Sequence, residues 1–461
     1  MDPTTRRSSV VISAQRLCFS LLGACVMSAA VATAKPPNII LLLTDDMGYS
    51  DPACYGGKFV PTPNIDRLAR EGVRFTQFYA ASPVCSPSRT GILTGMYPGR
   101  WRITNYLQTR AGNHASEQVD FLDPKAPSIA RALKASGYAT GHFGKWHMGG
   151  GRDVTNAPPF SEYGFDEHSG TYESPEPDPN ITATKWIWSA RDKVKRWDRT
   201  AYFVDRTLDF LQRNKSRPCY VNLWPDDVHT PWVPPKSSLA QSAPGRESRT
   251  NFEGVLKEYD RQVGRLLEGF ARLGIEEETI LIFTSDNGPL PAFNGARTGG
   301  MRGSKISLYE GGTRMPFIVR WPGHVPTNQI DDVTVMNGVD LLPSLCALTG
   351  AVRPQGFQFD GENLREALLG KPTKRSKPLF WEYGRNDAFN YPKGRNRSPN
   401  VSVREDNWKF LINADGTSPE LYDLCRDVKE ENNLAAEKEQ VTKRLTGAAL
   451  DWRRTLPTYG P

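Results

Sequence analysis

The stretch Asn38–Gly48 (NIILLLTDDMG) decides the fold class of this chain of 461 residues. Its first six residues form an apolar run of strand length, which leads into Thr44-Asp45-Asp46-Met47-Gly48. A second run, Thr279–Thr284 (TILIFT), leads in the same way into Ser285-Asp286-Asn287-Gly288. Such runs are typical of strands that helices cover on both faces, as in parallel sheets. They therefore predict an α/β fold with a mostly parallel central sheet flanked by helices.

Further strands and helices alternate along the chain as far as about Gly370. Apolar runs predict strands at Tyr138–Phe143, Cys219–Trp224 and Phe317–Trp321. Helical spacing of apolar residues predicts helices that begin at Thr62-Pro63 and reach Val73, and at Pro127–Ala135 and Phe252–Leu273. The stretch Asp153–Thr184, rich in Pro, Gly and acidic residues, is expected to form a long loop over the site.

The last part of the chain has a different pattern. Short predicted strands separated by Asn, Asp and Gly lie at Pro378–Glu382, Val401–Arg404, Trp408–Ile412 and Glu420–Asp423, before a helix at Glu430–Arg453. We therefore predict a small C-terminal antiparallel sheet plus helix. The expected organisation is a leader at 1–34, a catalytic domain at 35–370 and a C-terminal α+β subdomain at 371–461.

The N-terminus has the pattern of an export signal. Arg6, Arg7 and Arg16 precede the apolar stretch Leu17–Val31, and Ala32-Thr33-Ala34 is typical of a cleavage site. We therefore expect a secretory signal peptide over 1–34 and a periplasmic or secreted protein. The sequence Leu22-Gly23-Ala24-Cys25 is also a weak lipoprotein-type site. Membrane attachment is expected only if that lipid anchor forms.

Composition excludes several classes of protein. The hydrophobic share of 38% is enough to bury a large core, so the chain is not expected to be disordered. The formal net charge is +7, yet the Lys and Arg residues form no run of the kind that marks nucleic-acid-binding tails. We predict no nucleic-acid partner.

Acidic and amide side chains follow the predicted strands Asn38–Leu43 and Thr279–Thr284. Asp45, Asp46, Asp286 and Asn287 should converge, because ligands of open α/β sheets bind at the carboxyl ends of the strands. Hard oxygen ligands without His or Cys suit Ca²⁺ or Mg²⁺ rather than zinc. The alternative is that these residues only cap helices or form Asx turns.

The motif Cys85-Ser86-Pro87-Ser88-Arg89 contains a candidate nucleophile. Pro87 and Ser88 are typical of a helix start, so Cys85 is expected just before a helix N-terminus, where a thiol ionises readily. A structural buried cysteine is the alternative. Two of the seven cysteines lie in the leader, which leaves an odd number in the exported chain. The remaining four either form up to two disulfides or stay reduced: Cys54, Cys219, Cys346 and Cys425.

Basic side chains follow further predicted strands. Lys145 and His147 come after one strand, His229 after another, and Lys305 lies in a Gly-rich stretch after the strand that precedes Asp286. Together with Arg89 such groups would hold a tetrahedral anion and donate a proton to a leaving group. We assign the other four histidines to structure or surface: His114, His142, His168 and His324. Trp186, Trp188 and Trp197 are expected to pack as a lid, with stacking on sugars as the alternative.

Taken together, these motifs resemble the formylglycine-dependent sulfatases, in particular the arylsulfatase and N-acetylgalactosamine-6-sulfatase group. The matching motifs are, in order, Asp45-Asp46-Met47-Gly48, Cys85-Ser86-Pro87-Ser88-Arg89 with Thr94-Gly95 after it, Gly144-Lys145-Trp146-His147, Asp286-Asn287-Gly288 and Glu310-Gly311-Gly312 before Arg314-Met315-Pro316. The resemblance spans about Pro37–Asp427 and implies an alkaline-phosphatase-like fold.

The resemblance also implies a mechanism. A formylglycine-generating maturase oxidises Cys85, and the hydrate of the resulting formylglycine is the nucleophile. One Ca²⁺ is held by Asp45, Asp46, Asp286, Asn287 and the modified residue 85. The implied roles of the others are that Lys145 and Lys305 grip the sulfate oxygens, Arg89 holds the modified side chain, Asp286 helps deprotonate the attacking hydroxyl, His229 protonates the leaving alcohol and His147 takes the proton of the second hydroxyl.

The substrate class that the resemblance implies is a sulfated carbohydrate or an aryl sulfate. We expect Asp153–Thr184, Trp186–Trp197 and the tail residues Arg385, Asn386, Arg395 and Arg397 to decide which one. Two alternatives remain: a phosphate or phosphonate ester hydrolase on the same scaffold, and a non-catalytic binder of sulfated glycans if Cys85 stays a thiol.

Overall fold

The computed structural model describes residues 36–184, 186–235, 248–383 and 392–458. The predicted leader and the tail residues Arg385 and Asn386 lie outside these residues. The described part contains a nine-stranded sheet. Its strands are β1 Asn38–Thr44, β2 Val73–Tyr79, β3 Ala139–Gly144, β4 Glu167–Gly170, β5 Cys219–Trp224, β6 Thr279–Ser285, β7 Arg314–Arg320, β8 Gln329–Asp331 and β9 Met336–Asn337.

The order of the strands places β1 near the middle of the sheet. The order is β4-β3-β5-β1-β6-β7-β2-β8, with β9 also paired to β2. β1 runs parallel to both of its neighbours, and only β7 runs antiparallel to the strands beside it. The register pairs Thr44 with Ser285, so the chain leaves β1 and β6 side by side. The predicted α/β class with a mostly parallel sheet is confirmed.

Helices cover both faces of this sheet. The helices of the described residues are α1 Pro63–Arg70, α2 Cys85–Thr94, α3 Arg110–Ala115, α4 Ile129–Ala135, α5 Arg199–Arg213, α6 Arg249–Leu273, α7 Glu310–Thr313, α8 Leu341–Thr349, α9 Arg365–Leu368 and α10 Glu439–Arg454, the last of which packs on the C-terminal sheet instead. Along β1, Ile39 and Leu41 belong to one hydrophobic core, whereas Ile40 and Leu42 belong to another. This alternation explains why β1 is apolar at successive positions, because each face of the strand is buried.

Two sequence expectations in this domain are wrong. The first helix ends at Arg70, and Val73 begins β2. The chain must turn there because Gly72 lies against the backbone of β7, with no room for a Cβ beside the carbonyl of Val319. The stretch Asp153–Thr184 is not simply a loop, since it contains β4, which extends the sheet beside β3.

The C-terminal part contains the predicted antiparallel sheet and helix. Its four strands are β10 Leu379–Glu382, β11 Val401–Glu405, β12 Trp408–Ile412 and β13 Glu420–Asp423, paired in that order. The helix α10 begins at Glu439, nine residues later than predicted at Glu430. The side chain of Asp427 accepts hydrogen bonds from the backbone N–H groups of Glu431 and Asn432, so this segment forms a turn instead of helix.

A buried ionic cluster joins this sheet to the segment that carries Lys305. Glu310, at the start of α7, pairs with Lys409 of β12 at 3.1 Å, and its backbone N–H donates to Glu430 at 2.7 Å. Burial and the nearby Glu310 together raise the pKa of Glu430 to about 8, against the effect of Lys409. The cluster therefore contains a carboxylic acid that stays protonated at neutral pH.

This cluster predicts a pH-dependent stability. Unfolded, Glu430 ionises near its ordinary pKa of 4.5, whereas folded it keeps its proton up to about pH 8. The folded chain binds more protons in this window, so the contribution of Glu430 to stability is lost as pH rises through it. We expect Glu430→Gln to show a shallower loss of unfolding free energy between pH 5 and 8 in urea titrations.

The matched control for that measurement is Glu431→Gln, which changes the exposed neighbouring carboxylate. We expect Glu431→Gln to keep the slope of the unmodified protein. Equal slopes for Glu430→Gln and the unmodified protein would contradict the assignment of the buried proton to Glu430.

Candidate active site

The predicted acidic residues meet at the carboxyl ends of β1 and β6. Asp46 takes a left-handed backbone conformation (φ 59°), and its N–H donates to Asp286 at 3.1 Å. Asn287 donates its side-chain N–H to Asp46 at 2.7 Å. Arg297 fixes the same turn, since it donates to the carbonyl of Asp46 at 2.8 Å. Parallel strand ends therefore bring together side chains that are some 240 positions apart.

Three cations pair with the three carboxylates of this cluster. Lys145 lies 2.8 Å from Asp45, and Lys305 lies 2.7 Å from Asp46. Arg89, which is fully buried, donates from Nε and Nη2 to Asp286 at 2.9 and 2.8 Å. The positive groups that the converging carboxylates require are thus side chains of this chain.

The pKa values of the carboxyl groups differ according to their surroundings. Burial alone would raise the pKa of Asp45, but Lys145, His229 and Arg89 hold it well below its usual range. Burial raises the pKa of Asp286 to about 7, and Asp45 and Asp46 oppose its ionisation while Arg89 favours it. Asp286 is therefore the carboxyl of the cluster best placed to exchange a proton near neutral pH.

Cys85 lies at the centre of the charged groups. It is the first residue of α2, so the helix begins at the cysteine and not after it. Its Sγ lies 3.4 Å from Lys305 Nζ and 3.9 Å from Asp46 Oδ1. The side-chain oxygens of Asp45 and Asp286 lie within 4.8 Å of the same sulfur.

The expectation that Cys85 ionises readily is wrong. Burial raises the pKa of its thiol, and although Lys145 and Lys305 favour the thiolate, Asp45 and Asp286 oppose it. The thiol is almost fully buried, so the loss of hydration outweighs the field of the helix N-terminus. None of the five cysteines in the described residues forms a disulfide.

His147, two residues after Lys145, is held in one orientation by its contacts. Its backbone is left-handed (φ 56°), and its Nε2 lies 3.0 Å from the carbonyl of Leu107. A carbonyl only accepts, so Nε2 carries the proton and Nδ1 has the free lone pair. Nδ1 has no hydrogen-bond partner among the described residues, and burial lowers the pKa of His147 to about 3. The ring is therefore a neutral base.

His229 approaches the cluster from the loop after β5. Its Nδ1 lies 2.5 Å from the carbonyl of Thr230, and its Nε2 lies 3.6 Å from Asp46 Oδ2. Burial and the neighbouring Lys305 lower its pKa. Arg196 donates to the carbonyl of His229 at 2.9 Å and also binds Asp226, which fixes this loop.

Sequence reasoning missed the residues that support the site. Asp226 binds Arg196 and Arg199, and Asp51 binds Arg297, all in buried ion pairs. The position of Asp226 after a strand, like that of the catalytic candidates, was a signal that could have identified it. The arginines gave no such signal, because they lie on other elements. Trp186 is 53% exposed and is not packed as a lid, and its ring lies 6.3 Å from that of Tyr172.

The model of the family described as Sulfatase matches residues 37–351. The chain belongs to the sulfatase family. A second model, described as N-sulphoglucosamine sulphohydrolase, C-terminal, matches residues 304–453 of this sulfatase. The chain is accordingly a sulfuric ester hydrolase.

Several characterised relatives are similar over most of this sulfatase. An N-acetylgalactosamine-6-O-sulfatase of Bacteroides thetaiotaomicron is 31% identical, over 90% of this chain and 92% of the relative. Arylsulfatase A of Homo sapiens is 32% identical, over 88% of this chain and 85% of the relative. Both agree with the group that the motifs resemble.

Solved structures agree with the fold of this sulfatase. One is a Bacteroides thetaiotaomicron sulfatase, described with a genetic locus for the metabolism of glycosaminoglycans. It has a TM-score of 0.74 and 27% identity, and the match covers 92% of this chain and all of that one. A phosphonate monoester hydrolase of Agrobacterium radiobacter, with a TM-score of 0.65 and 21% identity over 91% of this chain and 96% of that one, shows the shared fold alone. No helix among the described residues combines the length and apolar character that a bilayer span needs.

Proposed function

We propose that this sulfatase hydrolyses sulfate esters of carbohydrates through a formylglycine formed from Cys85, with one bound Ca²⁺. The observation that carries the proposal is the position of Cys85 among Lys305, Asp46 and His229. A thiol whose pKa is raised by burial is a poor nucleophile, so the site favours a modified side chain at this position. The modification requires a formylglycine-generating maturase as a partner.

The donor set fits a hard cation. Asp45, Asp46, Asp286 and Asn287 offer oxygen ligands beside residue 85. The Oδ1 atom of Asn287 is buried and has no hydrogen-bond partner among the described residues, which leaves it available to a metal. When bound, Ca²⁺ would stabilise negative charge that develops on the sulfate group.

Calcium is expected to stabilise the folded protein through these ligands. A ligand that binds only the folded state at 100 times its Kd adds about 2.7 kcal/mol. We expect Ca²⁺ to raise the Tm of the chelator-treated protein, and Asn287→Ala to remove most of that rise. The control Asn214→Ala, at the end of α5, should keep it. An equal rise in Asn287→Ala would exclude Asn287 as a ligand.

The remaining residues divide the chemistry among them. Lys305, 3.4 Å from the sulfur of Cys85, and Lys145 supply the positive charge that a sulfate group at residue 85 needs. Arg89 holds Asp286 and Asp45, and its Nη1 donates to the carbonyl of Lys145 at 2.6 Å. It therefore orders the site and offsets its negative charge.

Three groups move protons in the proposed reaction. Asp286, which has a carboxylate oxygen within 4.8 Å of the sulfur of Cys85, accepts the proton of the attacking hydroxyl of residue 85. His229 donates a proton from Nε2 to the leaving alcohol in its doubly protonated form, which Asp46 and Asp45 favour against burial and Lys305. His147 accepts a proton at its unpartnered Nδ1 from the second hydroxyl of residue 85. The C–O bond to the sulfate group then breaks, so that sulfate leaves and the aldehyde of residue 85 is restored.

The relatives and a nearby cleft support a carbohydrate substrate. The N-acetylgalactosamine-6-O-sulfatase relative is named for a sulfated sugar. A cleft of about 350 Å³, lined by Arg152, Tyr172 and Pro175, lies in the stretch Asp153–Thr184 and its flank. We propose that this cleft, Trp186–Trp197 and the tail residues Arg395 and Arg397 select the sugar. Export through the leader at 1–34, with a lipid anchor as the alternative, belongs to the same proposal.

In the proposed organisation, the catalytic residues and the residues that hold the segment of Lys305 lie in different parts of the chain. The catalytic residues lie within 35–370, and the subdomain 371–461 holds the segment of Lys305. In this segment Gly303 donates to Asn396 at 3.3 Å, and Leu308 donates to Ser398 at 2.9 Å.

Mass spectrometry of the tryptic peptide Phe75–Arg89 tests the proposal, using protein expressed together with a maturase. We expect a peptide about 18 Da lighter than the cysteine form, together with turnover of an aryl sulfate and of sulfated monosaccharides. An unmodified Cys85 without turnover would overturn the mechanism and favour a glycan-binding protein. A modified residue that cleaves only aryl sulfates would overturn the carbohydrate substrate alone.

A further inference from the structure

Glu173 lies against the proposed base His147 without having a role so far. It belongs to the segment after β4 and is 6% exposed. Its Oε2 lies 3.4 Å from His147 Nε2, and its backbone carbonyl accepts the N–H of His147 at 3.0 Å. Side chain and backbone of one residue thus both contact this histidine.

The carboxylate of Glu173 is itself held from the other side. Arg152 donates to its Oε1 at 2.7 Å, and the hydroxyl of Tyr172 donates to the same atom at 2.9 Å. Arg152 also donates to the Tyr172 hydroxyl at 3.0 Å and lies over its ring. Although burial raises the pKa of Glu173, His147, Lys145 and Arg152 lower it to about 2, so the group is ionised.

Two acceptors therefore share the Nε2 side of the imidazole. The carbonyl of Leu107 lies at 3.0 Å, and Leu107 is fixed by a hydrogen bond from its N–H to Ser86 at 2.9 Å. Both acceptors keep the proton on Nε2 and the lone pair on Nδ1. Only the carboxylate carries a charge that stabilises the ring once Nδ1 has gained a proton, as the aspartate of a Ser-His-Asp triad does.

We propose that Glu173 is a positioning residue for sulfate ester hydrolysis, which fixes the tautomer of His147 and stabilises its imidazolium form. The inference rests on the proposed role of His147 as a base. When Nδ1 takes a proton from residue 85, the ring gains one positive charge and Glu173 remains a carboxylate. The proton leaves to water afterwards, which restores the neutral ring. Arg152 and Tyr172 hold the carboxylate in place throughout.

A double-mutant cycle separates this role from a structural one. In the matured, calcium-bound enzyme, Glu173→Gln should lower kcat for an aryl sulfate about 100-fold, with KM changed less than about threefold. In a His147→Ala background the same change should lower kcat less than about twofold, because the ring that Glu173 serves is gone. Glu173→Asp keeps the charge and should recover part of the lost kcat.

The control is Glu276→Gln, which alters another carboxylate that an arginine binds. Glu276 precedes β6, whereas the active site lies at the other end of that strand. This variant should keep the full kcat. Unchanged kcat in Glu173→Gln, or an equal loss in both backgrounds, would overturn the proposal. If Glu173→Gln does not fold, a Glu173→Asp variant with no more activity than His147→Ala would overturn it as well. Full activity in His147→Ala would instead contradict the base assigned under the proposed function.

Discussion

Replacing Cys85 by alanine should lower kcat for sulfate esters by about 10⁴-fold or more, because removal of a catalytic nucleophile in hydrolases costs a factor of this order. No other described cysteine can take over. Cys54, Cys219, Cys346 and Cys425 do not appear in either cluster of potential metal ligands around the site. The effect is measured as the initial rate with an aryl sulfate. The variant and the wild-type protein are both expressed together with the same maturase.

The loss should be confined to the chemical step. Alanine leaves α2 and the ion pairs of Lys145, Lys305 and Arg89 in place, so the unfolding midpoint should change little. The matched control is Cys425→Ser, which alters an exposed thiol and should retain full kcat. Cys85→Ala with more than a tenth of the normal rate would show that water attacks the ester without a nucleophile at position 85.

The strand-end residues of the site can be predicted from sequence because the sheet is parallel. Asp45 and Asp286 each follow a buried apolar run, and the register of Thr44 with Ser285 brings them together. The same reasoning places Lys145 and His229 after β3 and β5, which follow one another beside β1 on the side away from β6. Local sequence is sufficient to predict these site residues, because residues that directly follow parallel strands lie at the same edge of the sheet.

The residues that tune the site cannot be predicted in this way. Glu173 and Arg152 lie in a segment without apolar periodicity, so nothing in the sequence indicates that Glu173 contacts His147 or that Arg152 binds Glu173. The ionisation of Cys85 fails for a related reason. The position at a helix start predicts a low thiol pKa, but burial and the carboxylates that surround it after folding have the larger effect.

Contacts formed on folding also determine the secondary structure that sequence patterns failed to predict. The strand β4 (Glu167–Gly170) is short and polar, and it forms because β3 offers it an edge to pair with. The delayed start of α10 depends on Asp427, whose carboxylate binds the backbone ahead of the helix. In both cases a tertiary or side-chain contact outweighs intrinsic propensity.

Replacing Arg89 by methionine should lower the free energy of unfolding by about 3–5 kcal/mol, the usual cost of leaving one partner of a buried ion pair uncompensated. Arg89 is fully buried and makes four hydrogen bonds, to Asp286 (two), Asp45 and the carbonyl of Lys145. Methionine has a similar length and keeps contact with the ring of Trp224, so the charge is the main loss. Urea denaturation in the presence of a chelator measures the change without a contribution from bound metal.

The pH dependence of the stability lost in Arg89→Met tests whether this loss is electrostatic. Arg89 lowers the pKa of Asp286, which burial and the neighbouring Asp45 and Asp46 nevertheless keep at about 7. Without the arginine this folded-state pKa rises further above the unfolded value, so the variant loses more stability as pH increases from 6 to 8.

Removing both charges in Arg89→Met with Asp286→Asn should recover part of the loss. The control Arg213→Met breaks exposed pairs with Glu167 and Asp209 and should cost less than about 1 kcal/mol. An Arg89→Met protein with an unchanged midpoint at pH 8 would contradict the inference that the carboxylates of the site depend on this guanidinium for their charge balance.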